Sequence, residues 1–172
     1  MKAQTKPSEA IRQAAQVDRD GAAFFRRANL LAADPRVKFI FGRAAGEYER
    51  ALKFLEGLPG AKAKANVPTF FPFDQYKRME CYVCGFEAEG DQPPEVCPGC
   101  GAARYAFERE VSQGEAWGLV ARTTKDALAF TRKLAGGLAK AEARDALSMA
   151  VGVHKRLLEE AKQGRARVGA TP

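Results

Sequence analysis

The residues best suited to chemistry are four cysteines, Cys81, Cys84, Cys97 and Cys100, which stand together in ECYVCGFEAEGDQPPEVCPGCGA, Glu80 to Ala102. They form two C-x-x-C knuckles, each followed directly by glycine, with twelve residues between the knuckles. A tetrahedron of sulfur around one metal ion needs its ligands paired on tight turns, and a C-x-x-C segment reverses within four residues. Gly85 and Gly101 permit the positive φ that such turns demand, which lets backbone amides face the sulfurs and disperse their charge. Pro98 stiffens the second knuckle. Paired thiols of this kind read as a metal site rather than as disulfides. The spacing leaves the metal open: iron would shuttle one electron, and zinc would be structural.

The 172 residues around this clip are 46% hydrophobic and carry a net charge of +7. That composition can bury a core and excludes wholesale disorder. No apolar run reaches the ~18 residues of a membrane span, and no apolar leader follows Met1, so the expectation is a cytoplasmic protein without a membrane partner. Part of the positive charge sits in the tail KQGRARVGATP, read as a solvated surface and a frayed terminus. No basic stripe interleaved with aromatics occurs, so nucleic acid is not an expected partner.

Helical periodicity runs from about Glu9 to Ala33 behind a disordered lead at residues 1–8. Asp34-Pro35 then supplies an N-cap and a first-turn proline for a second helix, expected to stop near Gly57 in GLPG. The linker AKAKANVPTFFPF leads into the clip. Periodicity returns after Glu110, breaks at Gly136-Gly137 and continues to about Lys162. AAFFRRA at Ala22 to Ala28 resembles LAFTRKL at Leu128 to Leu134. Two helical hairpins, each with an apolar stripe, make a four-helix bundle. The division is 1–66 for the first hairpin, 67–111 for the metal domain and 112–172 for the second hairpin and tail. Trp117 and the aromatics Phe70, Phe71, Phe73 and Tyr76 are expected to be packing anchors.

The pattern C-x-x-C-G-F-x-x-E-G-x-x-P-P-x-x-C-P-x-C-G-A, followed by an aromatic near Phe107, resembles the short rubredoxin-like domain of rubrerythrins. The resemblance covers about residues 79 to 109. It places the four cysteines on that family's iron ligands, and Gly85, Phe86, Glu89, Gly90, Pro94, Pro98 and Gly101 on its framework. It implies a mainly α fold, a ferritin-like four-helix bundle of two hairpins with a small rubredoxin-like β domain; in this chain that domain is inserted between the hairpins, whereas the family carries it at one end of the bundle. It also implies one iron in the clip, relaying electrons to a di-iron centre in the bundle where peroxide is reduced.

The bundle is tested for such a centre by its inward carboxylates and Glu-x-x-His pairs. Asp18 interrupts the apolar face of the first helix, Glu47 that of the second and His154, the single histidine, that of the last. DRDGAAFF resembles the family's first-helix segment, with Asp18 on a ligand glutamate. AAGEYERALKFL resembles its second, with Glu47 on the glutamate and Arg50 where histidine belongs. Thr124 and Val151 stand on two further glutamate positions. Arginine does not become a ligand and valine has no donor. A di-iron centre is therefore not expected. An internal salt bridge of Arg50 with Glu47 or Asp18, beside a hydrogen-bonded His154, is the simpler arrangement; a single metal on Asp18, Glu47 and His154 is the alternative.

The expected function is that of a rubrerythrin-like electron-transfer metalloprotein linked to peroxide or oxidative-stress chemistry, with a degenerate di-iron site and a protein redox partner. The competing reading is a zinc-stabilised helical assembly protein without redox activity. The long join between hairpins also suggests a homodimer, with exchange of hairpins between chains as one form.

Overall fold

The computed structural model describes residues 6–90 and 92–169, so the expected lead lies largely outside the described residues. The element order is α1 (Pro7–Leu31), α2 (Pro35–Lys53), a one-turn α3 (Asp74–Lys77), strands β1 (Met79–Glu80) and β2 (Glu87–Ala88), a 3₁₀ turn (Arg104–Phe107), α4 (Gln113–Gly136) and α5 (Ala141–Gly169). The long helices pair as α1 with α2 and α4 with α5, and α2 packs across the second pair. The chain is mainly helical, a four-helix bundle of two hairpins with a small metal-binding insert between them. β1 and β2 pair antiparallel, with Met79 opposite Ala88 and Glu80 opposite Glu87.

α2 and α4 form where capping chemistry and an apolar stripe coincide, whereas α1 starts at Pro7 without a side-chain cap. The Asp34 side chain accepts from the Arg36 amide at 2.7 Å, with Pro35 in the first turn of α2. Ser112 and Glu115 close a reciprocal capping box on α4. Ile11, Ala14, Asp18, Gly21, Phe25 and Ala28 are all buried along α1, as their spacing predicts. On α5 the same holds for Leu147, Ala150, His154, Leu157 and Ala161.

Two helix ends differ from expectation. α2 stops at Lys53, before GLPG, so Phe54 turns partly outward and Leu55 is buried in its place. The turns that follow are tied to α1, because the Arg19 guanidinium donates to the carbonyls of Ala61 at 2.6 Å and Ala63 at 3.0 Å. The basic tail is helical as far as Gly169 rather than frayed from Lys162. Trp117 on α4 explains this: its indole lies against Gly164, where a Cβ would come within 2.4 Å of the ring. The stretch from Phe70 to Tyr76 packs inward as expected, with Phe71 and Tyr76 buried and Phe24 at the centre of a ring cluster that includes Phe71, Phe73 and Tyr76. No described helix is long and apolar enough to cross a membrane.

Candidate metal centre

The two knuckles close on each other. The Gly85 amide donates to the Cys81 carbonyl at 2.8 Å, and the Gly101 amide to the Cys97 carbonyl at 2.9 Å. Gly85 and Gly101 take φ of 75° and 76°, so both glycines adopt the backbone their position in the motif requires. The strand pair anchors the first knuckle, and a bridge between Val96 and Ala103 anchors the second.

The four sulfurs lie within 4.8 Å of one another, the single such group of three or more donor residues among the described residues. Cys81 and Cys100 Sγ are 3.8 Å apart, and Cys84 and Cys97 Sγ are 3.6 Å apart. A metal held ~2.3 Å from each of four sulfurs needs them about 3.8 Å apart, so the donor set fits one tetrahedral ion. A disulfide needs ~2.0 Å, and all four thiols are free. Amides face the sulfurs, as the glycine turns predict: that of Phe86 serves Cys84, those of Cys100 and Gly99 serve Cys97, and that of Ala102 serves Cys100. Desolvation raises the Cys97 pKa, yet those two amides and the Cys84 and Cys81 thiols bring it down to about 7. Cys81 and Cys97 are buried, whereas Cys84 and Cys100 reach solvent. The centre therefore has a protein side and an open side.

Long-range contacts fix the insert on the bundle. Arg27 of α1 donates to the carbonyls of Tyr76 at 2.9 Å, Lys77 at 3.1 Å and Gly90 at 2.9 Å. Arg109 donates to the carbonyls of Gln75 and Arg78 and lies over the Tyr76 ring. Its backbone pairs with the α1–α2 turn, through Ala33 N to Arg109 O at 2.9 Å and Arg109 N to Leu31 O at 2.6 Å. Lys38 and Glu108 add an ion pair at 2.8 Å.

The three polar residues on the bundle stripes are not gathered into one donor set. Asp18 Oδ1 and His154 Nε2 are 2.8 Å apart, and both side chains are buried in the bundle centre. Asp18 Oδ2 and His154 Nδ1 have no hydrogen-bond partner among the described residues. Burial raises the Asp18 pKa, against which His154 and then Arg19 act. Glu47 is engaged elsewhere, by Arg43 at 2.6 Å, and Arg43 continues to both carboxylate oxygens of Glu160 on α5. Arg50 is the weaker neighbour at 3.4 Å with a side chain 58% exposed, so the expected Arg50 bridge is replaced mainly by Arg43. Thr124 accepts from the Tyr48 hydroxyl at 3.2 Å.

Sequence reasoning missed Arg43 and Tyr48. Arg43 stands one helical turn before Glu47, the i,i+4 spacing that favours an ion pair. Tyr48 is buried with its ring 5.1 Å from that of His154. Gly21 is the trace it leaves in the sequence: a Cβ there would come within 2.5 Å of the Tyr48 ring.

Residues 80–108 match the family model described as the rubredoxin-like domain of rubrerythrin. A segment of 41 residues is 42% identical to reverse rubrerythrin-1 of Clostridium acetobutylicum, covering 24% of this chain and 23% of that relative. The match thus spans about a quarter of the relative's length. No solved structure matches the chain significantly. In sequence and in ligand geometry, the metal-binding segment of this protein is rubredoxin-like, of the kind that rubrerythrins carry, and it is held here between two helical hairpins.

Proposed function

We propose that the protein transfers single electrons through one iron held by Cys81, Cys84, Cys97 and Cys100, in the service of peroxide or oxidative-stress chemistry. Bound iron supplies a one-electron couple at that position. The chain's own contribution is a rigid cage that changes little between charge states. Amides from Phe86, Gly99, Cys100 and Ala102 take up part of the sulfur charge. The exposed Cys84 and Cys100 give electrons a short path to the surface. The observation that carries this reading is the near-tetrahedral sulfur set, open on one side, within a rubredoxin-like segment.

In the same reading the bundle carries no di-iron pair. Glu47 is committed to Arg43, Thr124 to Tyr48, and Val151 offers no donor. Asp18 and His154 serve as a buried pair instead of ligands. Any peroxide reduction would then need a second protein, and a homodimer of such chains, cytoplasmic as the cysteine usage suggests, is the proposed working form.

Reconstitution with ferrous salt under argon, followed by air, tests this. A red protein with one iron per chain, bleached by dithionite, is the expected result. A colourless product that retains zinc in preference to excess iron would favour the structural reading. Peroxide consumption by the iron-loaded protein alone, with reductant supplied, would overturn the proposal for the bundle.

A further inference from the structure

The solvent side of α2 is not the polar face that a surface helix ordinarily shows. Phe39 is 69% exposed, and Phe54, one residue past the end of the helix, is 37% exposed. Between them the exposed positions are Gly42, Arg43, Gly46, Arg50 and Lys53, on one face at spacings of three and four. Glycines inside a helix cost it stability against alanine. Gly42 has a neighbour in its own chain, the Asn29 side-chain amide, 3.2 Å from where a Cβ would stand. Gly46 has none: a Cβ there would meet nothing within 4 Å among the described residues. The packing of the single chain makes no use of the missing side chain, and a backbone bared in this way suits close approach from outside.

Charge on this face favours a copy of the same chain. On α2 between the two phenylalanines, Arg43, Arg50 and Lys53 stand against Glu47 and Glu49, a net +1 where the chain as a whole carries +7. The flanking helices cancel, because Arg26 of α1 pairs with Glu49 and Glu160 of α5 pairs with Arg43. A near-neutral face does not repel its own copy as the rest of a basic surface does. The order of residues is also close to palindromic. Phe39 and Phe54 lie equally far from a point between Gly46 and Glu47, and so do Arg43 and Arg50. An isologous contact, in which one patch meets itself, needs that symmetry.

We infer that the outer face of α2 is the two-fold interface of a homodimer, in which two copies of the helix cross antiparallel beside Gly46. The partner's Phe54 then reaches the cleft that Phe39 shares with Ile40, Trp117 and Val168. Glu160 is level with Arg43 along the bundle, so the partner's Arg50 is brought to the Glu160 carboxylate. Gly46 sits at the axis, where the two backbones come closest and a side chain has no room. This rests on the homodimer proposed above and adds its surface; it needs neither iron nor electron transfer. The face from Phe39 to Phe54 is about 22 Å long, a narrow patch against the ~800 Å² per partner of a standard complex. The dimer is therefore expected to be reversible, with a dissociation constant in the micromolar range.

The test is sedimentation velocity on the zinc-loaded full chain between about 1 and 200 µM, a span that brackets such an affinity. Wild type should shift from monomer to dimer as concentration rises. Gly46→Arg should keep helical circular dichroism and thermal stability, because the space beside it is open in the single chain, yet raise the dissociation constant about 30-fold or more. Phe39→Ser with Phe54→Ser should raise it about tenfold. Tyr105→Ser removes a ring as exposed as Phe39 from the metal clip and should leave it unchanged. A wild-type dimer that Gly46→Arg leaves intact would overturn this interface while leaving the homodimer to another surface, exchanged hairpins included. Wild type that stays monomeric throughout would overturn the interface and the homodimer together. Dimer loss with Tyr105→Ser as large as with Gly46→Arg would move the contact to the clip and overturn the inference as well.

Discussion

The metal clip and the centre of the bundle both gather polar side chains in a protein interior, by opposite means. Each pair of cysteines is placed by a turn of four residues, and the amides that face the sulfurs come from the same turns. Only the closing of two short knuckles is needed to bring four donors within 4.8 Å. Asp18 and His154, by contrast, lie 136 residues apart and meet only when both hairpins pack. The clip therefore keeps its chemistry through local geometry. The bundle centre depends on every neighbouring choice: Asp18 pairs with His154, Glu47 with Arg43 and Tyr48 with Thr124, while Asp18 Oδ2 and His154 Nδ1 have no hydrogen-bond partner among the described residues.

The contrast breaks most sharply at the metal. Chelation, or Cys97→Ser, should abolish stoichiometric metal binding and collapse NMR dispersion across residues 80–108. Structural zinc in zinc-finger peptides is bound with about 10–16 kcal/mol near neutral pH, which sets the scale for such a loss. Most of the helical circular dichroism should remain, because the long helices pair chiefly with one another, although Cys81, Cys97 and Phe107 share a core with Phe24 and Phe41; a cooperative loss of helix with metal removal would show that the two regions are one folding unit. Acid should mimic chelation, since ligands must be thiolates and each release of metal takes up protons.

The second largest effect is expected in the bundle centre. His154→Ala leaves the buried Asp18 carboxylate without its partner and should cost about 3–5 kcal/mol in urea denaturation. Asp18→Asn keeps shape and a hydrogen-bonding group while removing the charge, and should cost less than about 1.5 kcal/mol. The sign of the pH effect follows from burial. The Asp18 pKa is raised on folding above its ordinary 3.8, so its contribution is fully present below 3.8 and is lost as pH climbs through the raised value. Wild type should thus lose stability relative to Asp18→Asn over that window. A constant difference between the two at every pH would remove the argument that desolvation dominates.

Gly21→Ala sharpens the packing side. It gains about 1 kcal/mol of helix propensity but drives a methyl into the Tyr48 ring, for a net loss of about 1–2 kcal/mol. Smallest of all, Arg43→Gln should cost about 1 kcal/mol, discounted because the arginine is 41% exposed, and Arg50→Gln less than about 0.5 kcal/mol. Equal costs would restore Arg50 as the partner of Glu47.

Much of this was legible in residue order. The clip, its glycine turns, the Asp34-Pro35 start, the break at Gly136-Gly137 and the buried positions of Asp18, Glu47 and His154 follow from spacing alone. Missed features were those set by a distant segment. Lys53 ends α2 where the following turns bond back to α1 through Arg19. The tail stays helical because Trp117 lies against Gly164. Arg43 prevails over Arg50 because Glu160 on α5 holds its other donors.

The sequence by itself determined the sulfur cage, because C-x-x-C-G turns carry their geometry within five residues and need little else to form. It also determined which helix faces would be buried, since periodicity is a local property of the chain. Tertiary structure alone decided that Asp18 and His154 pair, that Tyr48 fills the space beside Gly21, and that two thiols face water. Those outcomes depend on which segments approach which, and contacts across a hundred residues leave almost no mark on neighbouring letters.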